Sequence, residues 1–263
     1  MRNVTDFLGR GMHAAAIMLV CGVAVSSAKA AETVGDARQI VNTVTGSGAM
    51  GARKLGSKDP VYRNESISAA SNSHGELELL DGSRIIVGED STISLDNFAV
   101  AGSSFSSGTI KVAKGAFRFI SGGSAKEAIK IRTPLSTIGV RGTVIDIYVQ
   151  PTTGVTHAVL LNGSITVCNL RRQCRITRRT CDIIRVPTAN EIEEVPFLHS
   201  HERTADEENR IFPLTGANQF RYSPLWRAVE GACFARAAES SNTSGKPDID
   251  PPQPPAPDYD FDD

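Results

Sequence analysis

Apolar and polar residues alternate in short runs along most of this 263-residue chain. Ile129, Lys130, Ile131 and Arg132 follow the two-residue period of a half-buried strand. Thr133 and Pro134 then interrupt pairing, because proline has no amide for a ladder. A second run begins at Thr143 and carries Ile145, Ile147 and Val149 on one face. Between the two, Gly139 and Gly142 bracket Val140 and Arg141, where the backbone can turn sharply. Upstream, the pattern predicts a first strand over 38–45, a loop over 46–52, and a hairpin of 77–80 with 83–87 on the Asp81-Gly82 turn. A turn at Gly88-Glu89-Asp90 and strands over 91–95, 108–112 and 115–120 follow. Downstream come strands over 157–161 and 164–168, with Asn162-Gly163 as a second hairpin turn.

Many short strands with no amphipathic helix between them predict an all-β domain, either an antiparallel sandwich or a solenoid-like stack. The glycine-containing breaks show no fixed repeat period, which favours the sandwich. Helix is expected only near the end. Ser223 and Pro224 make an N-cap and first helical position, and Leu225, Trp226, Val229, Ala232 and Cys233 then share one face. The expectation is a short C-terminal helix packed on the β-body. Residues 241–263 interleave Pro247, Pro251, Pro252, Pro254, Pro255 and Pro257 with acidic residues up to Asp263, a tail without core material and therefore expected to be disordered.

The N-terminus changes the picture of where the chain works. Arg2 and Arg10 precede an apolar run over 14–25, and Ala28-Lys29-Ala30 is a small-x-small cleavage site, so residues 1–30 read as a secretory signal peptide. The run is shorter than the ~20 residues of a spanning helix, which disfavours a retained anchor. Lipidation of Cys21 is disfavoured by the bulky Val20 before it and by the apolar residues that follow. The expected organisation is a signal peptide over 1–30, a β-domain over 31–195, a helix-bearing segment over 196–240 and a tail over 241–263. The expected location is periplasmic or secreted, with no stable membrane span after cleavage near Ala30.

Trimming removes Arg2, Arg10 and Lys29 from 28 basic residues and Asp6 from 29 acidic ones, leaving a formal charge of −3 on 233 residues. That balance offers no bulk attraction to nucleic acid or acidic membrane. Cys168, Cys174, Cys181 and Cys233 remain, an even number that predicts two disulfides with three possible connectivities. A Cys168–Cys174 bridge would close a hairpin over 169–173 and leave Cys181 to Cys233. Zinc is disfavoured, because Cys-x5-Cys-x6-Cys lacks the tight pairs of zinc motifs.

Candidate chemistry is sparse. Residues 46–51 match Gly-x-Gly-x-x-Gly literally, yet Gly56 and Pro60 follow where a dinucleotide site needs a helix, so the segment reads as a loop. His199-Ser200-His201-Glu202 lacks a third metal ligand at defined spacing. No Gly-x-Ser-x-Gly or His-Glu-x-x-His occurs, and Ser-x-x-Lys falls only inside 26–29. No catalytic, metal or cofactor residues are nominated, and an enzyme is not expected. Arg171, Arg172, Arg175, Arg178, Arg179 and Arg185 form the densest charge cluster. On one face they would make an anion-attracting patch; otherwise they are a solvated outer surface.

Three stretches carry a family resemblance: Asp81-Gly82-Ser83 with the apolar strand to Gly88, residues 108–119, and Thr133-Pro134 through Gly139-Val140-Arg141-Gly142-Thr143. Together they resemble the signature of the FecR-type domain, a family of periplasmic β-domains known from iron-uptake signalling. The resemblance covers about residues 35–170. It implies a jelly-roll-like antiparallel β-sandwich that acts by contact with another envelope protein, for signalling or interaction, and not by catalysis. Family signalling proteins carry a cytoplasmic anti-sigma region and a membrane span before this domain. This sequence shows neither, so a free-standing exported version is expected. Arg141, at the tip between two glycines, is placed to cap carbonyls or to reach Asp146. A module for glycan or another envelope ligand is the alternative, weakened by one tryptophan and four tyrosines where glycan sites use aromatic platforms. The partner, the signal and the oligomeric state are not legible.

Overall fold

A computed structural model describes residues 31–195, and within them every regular element is a strand. The first seven are β1 (Thr33–Val41), β2 (Val44–Gly48), β3 (Gly51–Lys54), β4 (Pro60–Tyr62), β5 (Ser66–Ala69), β6 (His74–Leu79) and β7 (Arg84–Val87). Three longer stretches follow around β10: β8 (Thr92–Ala101), β9 (Ser104–Ile120), β10 (Ile129–Arg132) and β11 (Ser136–Val149). The last four are β12 (Thr156–Asn169), β13 (Cys174–Thr177), β14 (Ile183–Thr188) and β15 (Glu191–Val195). All fifteen join one hydrogen-bonded sheet, with β15, β14, β12, β11, β10, β9, β7, β6, β1 and β4 in that order along its main path.

The long strands change partners midway. β9 pairs with β8 and β10 up to Lys114, then with β7 and β11 from Gly115 onward. β11 pairs with β10 through Gly139 and with β9 from Val144. β12 stays on β11 throughout, but its outer neighbour changes from β14 to β13. The change in β11 and β12 falls at one shared irregularity, where Gly142 (φ 59°) and Gly163 (φ 88°) lie against each other. A Cβ on Gly163 would overlap the Gly142 carbonyl oxygen, so the two backbones approach more closely than any side chain allows.

One apolar core draws on both halves of these strands. Ile131 and Ile138 from before the irregularity and Ile145, Ile147 and Phe119 from beyond it are all buried in the same cluster. Phe98 and Phe105 meet edge to face with centroids 4.8 Å apart. Each such buried side chain contributes roughly 1.5–3 kcal/mol.

The sequence expectations are met at several points. Asp81-Gly82 turns β6 into β7, with Gly82 at φ 77°. β10 ends at Arg132 before Thr133 and Pro134 and returns as β11. No helix opens at residues 46–51, but the loop expected over 46–52 is instead the β2–β3 hairpin, with strand on either side of Ala49 and Met50. Others need correction. The sheet is mixed, because β9 and β10 run parallel. Asn162-Gly163 is not a hairpin turn but a bulge inside continuous β12, and the Gly139–Gly142 break lies inside continuous β11. The strand expected over 38–45 is divided at Asn42 (φ 59°), which separates β1 from β2. β14 and β15 extend the sheet beyond the last predicted strand. The signal peptide, the C-terminal helix, the tail and His199 to Glu202 lie outside the described residues. Among the described residues no helix is long and apolar enough to cross a membrane.

Candidate interaction surface

The Thr133–Thr143 signature is held by short hydrogen bonds. The Thr133 hydroxyl oxygen accepts from the Ser136 amide at 3.0 Å and from the Thr156 hydroxyl at 2.8 Å, fixing the turn in which Pro134 stands exposed. Thr143 is buried at the bend. Its hydroxyl donates to the Ser164 carbonyl at 2.7 Å and accepts from the Arg141 amide at 2.8 Å, while its own amide donates to the Ser121 hydroxyl at 2.7 Å. These bonds explain why threonine stands there: one side chain satisfies backbone groups that the irregular register leaves outside the ladder.

Fixing the bend also places Arg141. Its side chain is exposed and, with Arg178 just past β13, lines a groove of about 40 Å³ floored by Gly139, Ser164 and Thr166. The register produces this meeting: Arg141 lies opposite Ser164, and Thr166 opposite Ile176. Gly139, opposite Lys130, keeps the floor low. Glu127 also lines the groove and offsets part of the positive charge.

The six arginines of the downstream cluster do not act as one patch. Arg179 pairs with Asp182 at 2.9 Å and Glu194 at 3.1 Å, Arg185 pairs with Glu193 at 2.9 Å, and Arg171 donates to Asn190 at 2.9 Å. Arg185 joins β14 to β15, Arg179 ties the segment before β14 to β15, and Arg171 ties the β12–β13 hairpin to the β14–β15 turn. Arg172, Arg175 and Arg178 are exposed and make no ion pair among the described residues. Glu194 is pushed above the ordinary carboxylate range by burial and by the neighbouring Asp182 charge, an effect that Arg179 partly relieves.

Cys168 and Cys174 are disulfide-bonded across the β12–β13 hairpin, with Cα atoms 4.1 Å apart. Cys181 is disulfide-bonded as well, and its expected partner Cys233 lies outside the described residues.

Asp146 is not the partner of Arg141. It accepts two hydrogen bonds from Arg118, from Nε and at 2.8 Å from Nη2, and both side chains are shut off from solvent. This pair carries no signal in the sequence. Arg118 sits between Phe117 and Phe119, and Asp146 between Ile145 and Ile147, the positions at which alternation ordinarily puts solvated side chains. A second buried acid, Glu65, accepts from the Tyr62 amide at 2.8 Å and pairs with Arg53 at 2.9 Å; burial holds its carboxyl above the usual range. No group of His, Cys, Asp and Glu among the described residues is arranged to hold a metal.

Residues 65–166 match the family model described as FecR protein, the family that the motifs resemble. A comparison with curated proteins finds no match. Two crystal structures of a proposed anti-sigma factor from Parabacteroides distasonis ATCC 8503 align at a TM-score of 0.40 and 16% identity, over 50% of this chain and 59% of theirs.

Proposed function

We propose that this chain is a non-catalytic, exported FecR-type module that serves envelope signalling by binding another protein. In this reading residues 1–30 are removed near Ala30, and the sheet closes as a jelly-roll-like sandwich around its main core. The observation that carries the reading is the meeting of Arg141, inside the FecR-type span, with Arg178, outside it, over a floor of small residues. Two exposed guanidiniums without ion pairs among the described residues are suited to a carboxylate-bearing partner surface, because arginine binds carboxylates through parallel hydrogen bonds. Such exposed charges govern encounter rate and partner choice more than raw affinity, and their effect is screened by salt.

The test is affinity capture of the mature chain from cross-linked envelopes, in parallel with an Arg141→Ala/Arg178→Ala variant. A single protein captured by the native chain, weakened several-fold in the variant and by raised salt, supports the reading. Equal capture by both chains, or retention on purified glycan with no protein partner, rejects it.

A further inference from the structure

The loop that carries β12 into β13 is built more firmly than a chain reversal requires. Asn169 organises it: its side-chain oxygen accepts from the Arg171 and Gln173 amides, each at 3.0 Å, and its side-chain nitrogen donates to the Gln173 side chain at 2.8 Å. The Cys168–Cys174 disulfide closes the base. Inside this frame Leu170 is 56% exposed, and Arg172 adopts left-handed backbone at φ 60°. A plain turn would place a polar residue in water and glycine or asparagine at the left-handed position. Solitary exposed leucines are ordinary on protein surfaces. A leucine held outward on a cross-linked loop, beside an arginine in costly backbone, points instead to a contact.

The neighbouring turn widens the surface. Ser136 lies opposite Asn169, so the Thr133–Ser136 turn stands next to this loop, on strands about 5 Å apart. Pro134 is exposed there and Leu135 is half-buried. The Thr133 hydroxyl fixes the turn from inside, and Gly154 backs it so closely that a Cβ there would lie 3.0 Å from Pro134. Arg171 and Arg172 follow Leu170 directly and are exposed. Arg171 donates to the neutral Asn190 side chain, and neither guanidinium has a carboxylate partner among the described residues. We propose that this end of the β-body is a second contact surface, where Leu170 enters an apolar pocket of a protein partner and Arg171 and Arg172 meet carboxylates on its rim.

Rigidity and charge favour a protein pocket. Turns ordered before binding lose little conformational entropy on association, which suits a partner of fixed shape. Arginine is enriched at protein contacts, where its guanidinium binds carboxylates through parallel hydrogen bonds. A bilayer fits less well, because residues 31–263 carry a formal charge of −3 and the loop offers a single leucine to insert. The surface is separate from the Arg141 groove: the strand from Ser164 to Asn169 in β12 spans about 17 Å. Either surface can therefore fail without the other.

The test selects a random peptide library displayed on phage against the intact chain and titrates the enriched peptides into it by NMR. Enriched peptides should join an aromatic or aliphatic residue to Asp or Glu, and should shift the amides of residues 133–136 and 169–173. Leu170→Ser should weaken binding about tenfold, the loss of one buried leucine. Arg172→Asn, which accepts left-handed backbone, should weaken it several-fold, and by less at high salt. Arg141→Ala/Arg178→Ala should leave it unchanged. No enrichment, shifts confined to other residues, equal binding by Leu170→Ser, loop shifts that grow with protein concentration alone, or the same shifts from phosphatidylglycerol vesicles would each overturn the proposal.

Discussion

A single pair, Arg118 and Asp146, shows how far a side chain's setting can depart from what its neighbours in sequence predict. Both occupy outward positions of strands, yet both are buried, and each satisfies the other through a two-bond contact. Desolvating two charges costs about as much as their attraction returns, so the intact pair adds little net stability, while removing one partner strands the other. Asp146→Ala should therefore cost about 3–5 kcal/mol, read as a lower urea midpoint. An Arg118→Met/Asp146→Leu chain should unfold near the native midpoint, and a large loss in that chain would show that the pair has a specific structural role. His74 supplies a second residue-level prediction. Burial lowers its pKa below the ordinary 6.5, so the folded chain keeps it neutral while the unfolded chain takes up the proton first. Its contribution is present above that value and is lost as pH falls through it. Glu65 and Glu76 act in the opposite sense: burial raises both, so ionising them as pH rises favours the unfolded chain. A His74→Gln variant should thus lose less stability than the native chain between about pH 7.5 and pH 5.5, measured by urea titration at each pH.

At the scale of elements, glycines decide where the long strands bend. Gly142 and Gly163 both have positive φ, but they differ in surroundings: nothing lies near a Cβ on Gly142, whereas one on Gly163 meets the Gly142 backbone. Gly142→Ala should cost only the conformational strain, about 1 kcal/mol. Gly163→Ala should cost about 2–3 kcal/mol, because β11 and β12 must also move apart. Equal thermal shifts for the two variants would argue against the close approach as the determining contact. The same glycines explain what could be read from sequence and what could not. Asn162-Gly163 and Asp81-Gly82 look alike, each a turn-forming pair between alternating runs. Only the latter reverses the chain, because β6 and β7 pair with each other, whereas both halves of β12 pair with β11. Period-two alternation shows which side chains share a face, and it correctly marks Ile129, Ile131, Ile145, Ile147 and Val149 as core. It is silent on partners, so a bulge reads as a turn and the parallel β9–β10 pairing is invisible. The groove was half legible for the same reason. Arg141 and Arg178 are both conspicuous in the sequence, but only the β11–β12–β13 register brings them together.

For the whole molecule, the question is whether the FecR-type span is a folding unit. Residues 65–166 contain β5 to β11 and most of β12, yet β5, β6 and β12 each also pair with strands outside the span. β6 pairs with β1, β5 with β2, and β12 with β13 and β14. The main core also loses Val34, Val44, Leu55, Val61, Val167, Ile184 and Val186, each buried in the intact chain. At roughly 1.5–3 kcal/mol per side chain, that loss rivals the whole net stability of a domain, roughly 5–15 kcal/mol. It would also leave β6 and β12 with open edges, which favour pairing between chains. A fragment of residues 65–166 should accordingly aggregate and give a collapsed amide proton spectrum under conditions where the intact chain gives a well-dispersed one. The matched span would then be the recognisable part of a larger cooperative body, with β1 to β4 and β13 to β15 as necessary to it as the motifs themselves. A well-dispersed spectrum from the fragment would instead make those flanking strands accessories added to a self-sufficient domain.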